Sequence, residues 1–228
     1  MKIGILGTGG VGRTLATGFI KLGYQVKLGA RDAANEVAAK WVAENGGTGN
    51  DQVANQASHG TFEDATQFGD VVILATKGRF TEEVLDRAGI ENFAGKLVLD
   101  ANNPLEFVNG PGLFVGRDDS LGERVQRWLP NARVVKAFNM IGAGHFFQPQ
   151  FSDGAPTMFI AGNDAAAKQQ TTELLRTCGW ETFDAGGIEA ARYLEPMALL
   201  WITTGMRTGT WNHGFKMLQG GETNWSPW

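Results

Sequence analysis

Residues 2–12, Lys-Ile-Gly-Ile-Leu-Gly-Thr-Gly-Gly-Val-Gly, constrain the fold more than any other stretch of the chain. An apolar run breaks into Gly-x-Gly-x-x-Gly and then into a helical pattern, Arg13 to Leu22, that stops at Gly23. Strand, glycine turn and helix in that order open a dinucleotide-binding fold. Gly7 allows the tight turn out of the strand. Gly9 lacks a Cβ, so a pyrophosphate can approach the backbone. Gly12 lets the helix pack close to the sheet. The phosphate charge then meets free amides and the positive end of the helix dipole. Gly7, Thr8, Gly9, Gly10, Val11 and Gly12 are therefore candidate cofactor-binding residues.

The next strand, Tyr24 to Leu28, runs into Gly29-Ala30-Arg31. An NAD site places Asp or Glu near the end of this strand, where it accepts from the ribose hydroxyls. Gly29 and Ala30 offer no carboxylate, and Arg31 offers a planar cation suited to a 2′-phosphate. The pattern favours NADP over NAD. Asp32 reads as the N-cap of a helix beginning near Ala33.

At 228 residues the chain can bury a full core as one large domain or two unequal ones. A net charge of −4, with no basic block, argues against nucleic acid as a partner. The single cysteine, Cys178, cannot form an intrachain disulfide, which points to a reducing compartment. No apolar stretch is long enough to span a bilayer, and the N-terminus enters a strand at once. A cytoplasmic protein without membrane attachment is expected.

Strand and helix patterns alternate along the chain, the signature of a parallel sheet covered by helices. The expected architecture is α/β: a Rossmann-type doubly wound parallel sheet with a small, mainly helical C-terminal portion. Residues 1–150 would form the NADP-binding domain. Residues 151–228 would form the smaller portion, with roles in acceptor binding or dimerisation. Asn102 to Asp119, rich in Gly, Pro and Asn, reads as a long loop. Ala132 to Phe138 reads as a strand. Glu189 to Leu218 reads as mostly helical, with Leu194, Met197, Trp201, Gly205, Thr208, Trp211, Phe215 and Leu218 at helical spacing. Pro196 would start or kink that segment.

Ligands in such sheets bind beyond the carboxyl ends of the strands. Beyond the first two strands, those ends are Ala75-Thr76-Lys77, Asp100-Ala101-Asn102-Asn103-Pro104 and Ala137-Phe138-Asn139-Met140. Thr76, Asn103, Ala137 and Asn139 join the candidate cofactor contacts, since Asn both donates and accepts as ribose and carboxamide require. Asn before Pro is equally a turn element.

No Ser/His/Asp pattern and no metal-ligand spacing is visible. His59, His145 and His213 are far apart in sequence. Glu189 and Glu195 read as capping or pairing groups, with Arg192 a possible partner. No catalytic side chain is assigned. Reduction of a carbonyl needs a proton donor beside the hydride acceptor. Transfer between two cofactor rings needs mainly their alignment.

The motifs resemble the deazaflavin-dependent (coenzyme F-420-dependent) NADP reductases. The resemblance rests on Ile5 to Gly12, Gly29-Ala30-Arg31-Asp32 and Leu99 to Leu105. It extends through Val135-Lys136-Ala137-Phe138-Asn139-Met140-Ile141-Gly142 and Ala190-Ala191-Arg192-Tyr193-Leu194-Glu195-Pro196. It implies a homodimer, NADP held by the Thr8–Val11 turn and Arg31, and a deazaflavin stacked near Ala137. Ile141 and His145 would then line the acceptor side. Arg192, Arg207 and Lys216 become candidate partners for the acidic deazaflavin tail, or else solvated helix positions. Met140 stands where the family often has Thr, and Trp201, Trp211, Trp225 and Trp228 make the C-terminus unusually aromatic. Two other readings remain open at this point. One is an NADPH-dependent reductase of a flavin, quinone, ferric chelate or imine. The other is a non-catalytic NADP(H)-binding protein.

Overall fold

The structure is a computed structural model and describes residues 1–46, 56–218 and 220. Its strands are β1 (Lys2–Leu6), β2 (Gln25–Ala30), β3 (Ala57–Thr61), β4 (Val71–Leu74), β5 (Leu97–Asp100), β6 (Leu105–Phe107), β7 (Pro111–Leu113), β8 (Arg133–Lys136), β9 (Thr157–Gly162) and β10 (Glu181–Asp184). Its helices are α1 (Gly10–Lys21), α2 (Glu36–Asn45), α3 (Phe62–Phe68), α4 (Thr81–Ala88), α5 (Leu121–Trp128), α6 (Ala165–Thr177) and α7 (Ala191–Thr208).

Eight strands form one sheet in the order β3-β2-β1-β4-β5-β8-β9-β10. The first six are parallel and follow the doubly wound order, with the direction of winding switching between β1 and β4. β9 runs antiparallel to β8, and β10 runs parallel to β9. The sheet thus continues past residue 150, carrying β9 and β10 on its far edge.

Alternation along the strands divides the core in two. Ile3, Ile5, Val71, Ile73, Leu97 and Leu99 face Leu15, Phe19, Trp41 and Leu174 on one side. Leu6, Val72, Leu74 and Val98 face Phe62, Leu85 and Val125 on the other. The strands are apolar on both faces because helices cover both.

Four local expectations are corrected. The stretch from Asn102 to Asp119 is not all loop: β6 and β7 form an antiparallel hairpin pairing Leu105 with Leu113 around the Val108–Gly110 turn. α2 is capped by Asn35, whose Oδ1 accepts from Ala38 N at 2.9 Å, rather than by Asp32. Asp32 instead turns back on its own loop and accepts from Ala34 N at 2.8 Å. β8 stops at Lys136, because Phe138 takes a left-handed backbone (φ 64°) that no strand accommodates. The last helix ends at Thr208 and not near Leu218. Gly209 adopts the left-handed cap (φ 70°), and its N–H bonds Gly205 O. The chain from Gly209 then folds back irregularly: Thr157 N donates to Phe215 O and Met217 N to Thr157 Oγ1. Trp225 and Trp228, counted above in the aromatic C-terminus, lie outside the described residues.

Candidate functional site

Gly7 leaves β1 at φ 129°, and a Cβ there would lie 2.3 Å from Ala75 O. A Cβ on Gly12 would lie 2.0 Å from Gly7 O, so only glycine lets α1 start this close to the sheet. Gly9 and Gly10 are different: both are exposed, and nothing lies within 4 Å of a Cβ placed on either. Gly9 is the N-cap of α1, no side chain caps it, and no acidic residue occupies the first turn. The first N–H groups of a helix have no intrahelical acceptor, and here no side chain among the described residues replaces one. This open positive helix end is a cradle for a phosphate. Thr8 is half-buried beside it, and Val11 is exposed.

Arg31 follows β2 and is well exposed. Its guanidinium lies 5.6 Å from the Phe80 ring centroid, and its Nε lies 3.8 Å from Glu83 Oε1. Phe80 and Glu83 were not singled out from sequence. Their α4 start faces the end of β2 because β1 alone separates β2 from β4. With Asp32 engaged by Ala34 N, Arg31 is the residue at this strand end available to a 2′-phosphate.

At the other half of the sheet, Thr76 N donates to Asn102 Oδ1 at 2.7 Å. Asn102 Nδ2 donates to Thr76 Oγ1 and to Thr81 Oγ1. Asn102 is therefore a buried brace. Asn103 and Asn139 form a reciprocal pair. Asn103 Nδ2 donates to Asn139 O at 2.7 Å, and Asn139 Nδ2 donates to Asn103 Oδ1 at 3.0 Å. The second Asn139 amide hydrogen goes to Leu194 O at 2.8 Å. Asn139 Oδ1 is buried and has no hydrogen-bond partner among the described residues. A buried acceptor without a donor is uncommon and invites one from a ligand. Ala137 is buried, and its N–H bonds Asp100 O at 3.2 Å.

Phe138 lies between these groups. Its ring is buried and meets Phe146 edge-on at 5.2 Å between centroids, and its N–H points at Met158 Sδ, 3.3 Å away. The buried ring holds a backbone conformation that an aromatic residue adopts at a cost. Ile141 is buried after it. His145 Nε2 lies 3.1 Å from the Trp211 carbonyl, and its ring packs on Phe151. Trp201 stacks on His213 and Trp211, so the returning segment after α7 builds an aromatic wall beside residues 141–145.

Directly beneath lies a feature not singled out from sequence. Lys136 is fully buried, with Nζ 2.9 Å from Asp100 Oδ2, 2.7 Å from Glu195 Oε1 and 2.6 Å from Asn102 O. Glu195 also accepts from the N–H groups of Leu121 and Gly122, the first two of α5. Burial alone would depress the lysine, but the Asp100 and Glu195 carboxylates outweigh it and hold the ammonium above the usual range. One signal was legible: a lysine inside the apolar run Val-Val-Lys-Ala has to find a buried counter-charge.

The cationic candidates are spread out. Arg192 does not pair with Glu195. Its Nε and Nη2 reach Glu123 at 2.8 and 2.5 Å. Lys216 pairs with Glu181 at 2.5 Å. Arg207 is exposed near the end of α7. A separate groove of about 370 Å³ runs between α1, α2 and residues 143–147, lined by Arg13, Thr17 and Trp41 among others. Among the described residues no cluster of three or more His, Cys, Asp or Glu is placed to hold a metal ion. Among them, too, no helix is long and apolar enough to cross a membrane.

A doubly wound sheet with an open glycine turn at its switch point defines the class: an α/β protein of the dinucleotide-binding type. The family described as "NADP oxidoreductase coenzyme F420-dependent" matches residues 2–104. The F420-dependent NADP reductase of Methanothermobacter thermautotrophicus is 30% identical, over 95% of this chain and 94% of that protein. The crystal structure of a putative F420-dependent NADP-reductase from Arthrobacter sp. FB24 superposes with a TM-score of 0.86. The two are 36% identical, covering 96% of this chain and all of that one. The metalloreductase STEAP3 of Rattus norvegicus is 28% identical over 87% of this chain, which spans only 36% of that protein's length. The chain belongs to the F420-dependent NADP reductase family and is an NADP-dependent oxidoreductase.

Proposed function

We propose that the chain transfers a hydride between NADP(H) and a deazaflavin of the coenzyme F-420 type. The residues present fit NADP: a helix end with no cap, an exposed arginine where a 2′-phosphate would sit, and an orphaned buried acceptor at the opposite end. In this reading Gly7, Thr8, Gly9, Gly10, Val11 and Gly12 hold the pyrophosphate, and Arg31 holds the 2′-phosphate. Thr76 and Asn103 line the ribose side. Asn139 Oδ1 accepts from the carboxamide amide, and Ala137 leaves room for the ring. Bound NADPH supplies the hydride. The chain's part is to fix the ring and to exclude water from it, and the Trp201–Trp211 wall with Ile141 and His145 would close the acceptor side. Arg207 stands free of any ion pair among the described residues and is the favoured contact for an anionic tail. Arg192 would have to leave Glu123 to serve.

The observation that carries this reading is the likeness to F420-dependent NADP reductases over nearly the whole of both chains. The buried lysine at the strand end supports it: Lys136 is held by two carboxylates and is not poised to protonate a substrate oxygen. The likeness to a metalloreductase favours a second reading, in which NADPH reduces another acceptor such as a flavin or a ferric chelate. Stopped-flow oxidation of NADPH decides, with the deazaflavin, FMN and a ferric chelate offered separately and NADH as control. Fast turnover with the deazaflavin is expected. Turnover with FMN alone would replace this acceptor by the second reading.

A further inference from the structure

Sequence motifs from three distant segments of the chain meet at one point. Lys136 ends β8, Asp100 ends β5, and Glu195 lies in α7; their charged groups form a single triad buried from bulk solvent. Each arm reaches a neighbour of the Asn103–Asn139 pair. Lys136 Nζ binds the carbonyl of Asn102, next to Asn103. Glu195 follows Leu194, whose carbonyl takes one Asn139 amide hydrogen. Asp100 Oδ1 accepts from Asn102 N, fixing the turn that carries Asn103. Both amide hydrogens of Asn139 are thereby spoken for, and its Oδ1 is presented without a partner.

Stability alone is a weak reason for such a triad, because well-packed apolar residues commonly serve a fold as well as buried ions do. What ions offer is direction and registry. Here they fix three elements at the point where Asn139 is oriented.

We infer that Lys136 and Glu195 are positioning residues, which through the triad with Asp100 hold Asn139 in register with the carboxamide of a bound nicotinamide. The inference rests on the NADP reading above. It adds that the nicotinamide half of the cofactor, and not the adenosine half, is mechanically coupled to the start of α5 through Glu195.

The test compares NADP⁺ with 2′,5′-ADP, which keeps the adenosine half with its 2′- and 5′-phosphates and lacks the nicotinamide mononucleotide half. Amide hydrogen exchange of the unmodified protein is followed at Leu121 and Gly122, the two N–H groups that Glu195 accepts. NADP⁺ is expected to slow both by about tenfold beyond 2′,5′-ADP, a coupling of ordinary size. In Glu195→Gln, affinity for 2′,5′-ADP should stay within about twofold while affinity for NADP⁺ falls by about tenfold. Circular dichroism would verify that this variant folds. Should it not fold, the exchange experiment on the unmodified protein decides alone. Equal protection by the two ligands overturns the inference, as do equal affinity changes in a folded Glu195→Gln protein. Failure of the unmodified protein to bind either ligand rejects the cofactor reading itself.

Discussion

Lys136 Nζ lies 2.7 Å from Glu195 Oε1, with both side chains closed off from solvent. Removing the cation leaves two carboxylates buried without their partner. Lys136→Met should therefore cost about 3–5 kcal/mol, and calorimetry should show the melting midpoint lowered by roughly 10 °C. Adding Asp100→Asn and Glu195→Gln should recover part of that loss. A triple variant no more stable than the single one would show that the charge left unpaired is not the cause.

Gly9 and Gly12 belong to the same turn but should respond in opposite ways. Gly9→Ala places a methyl in open space, so the melting midpoint should hold while NADPH affinity, read by fluorescence titration, collapses. Gly12→Ala drives a methyl into Gly7 O, so the fold itself should weaken whether or not cofactor is present.

Arg31→Leu removes the cation proposed for the 2′-phosphate. A lost charged hydrogen bond corresponds to roughly 10–100-fold in affinity. NADPH binding should fall by that factor and NADH binding should not, which titration of each nucleotide would reveal. A parallel fall for both would remove Arg31 from the phosphate site.

Hydrogen bonds from Arg192, against the opposing cost of burial, hold the Glu123 carboxyl below its ordinary value. A carboxylate depressed in the folded state stabilises above the unfolded pKa, about 4.3 for Glu, and that contribution fades as pH falls through the folded value. Arg192→Met should thus melt below the parent at neutral pH. The two melting curves should converge as the pH is lowered past 4.3, and a constant gap at all pH values would contradict the assignment.

Burial, opposed by a hydrogen bond with Thr177, pushes the Cys178 thiol up to about 12. The thiolate is the reactive form, so a disulfide reagent at mildly alkaline pH should leave the folded protein untouched. The same reagent should titrate one thiol after unfolding. Rapid labelling of folded protein would place Cys178 in an opening segment.

Much of the first half of the sheet was legible because β1, β4 and β5 announce themselves by short apolar runs. Gly12 and Gly23 mark α1, and Thr61 with Asp64 closes a capping box at α3. The far side was harder. Leu105 to Leu113 has too few apolar residues to separate a hairpin from a loop, and Gly209 stops a helix whose apolar spacing runs on to Leu218. The partners in the triad were hidden for a different reason. Lys136, Asp100 and Glu195 each fit a local pattern, and nothing local says that three charges from distant segments neutralise one another. The same holds for Arg192, whose partner Glu123 lies on another helix.

Phe138 divides the loop proposed to face the acceptor into two kinds of position for anyone who would redesign it. Its ring asks for an aromatic residue and its backbone for glycine. Replacing it trades one demand against the other, and β-branched residues meet neither. Met140 to His145 carry no such left-handed backbone. A library aimed at a new electron acceptor should therefore vary His145 widely, hold the buried Met140 and Ile141 to apolar residues, and leave Phe138 fixed as the hinge pin about which that loop is hung.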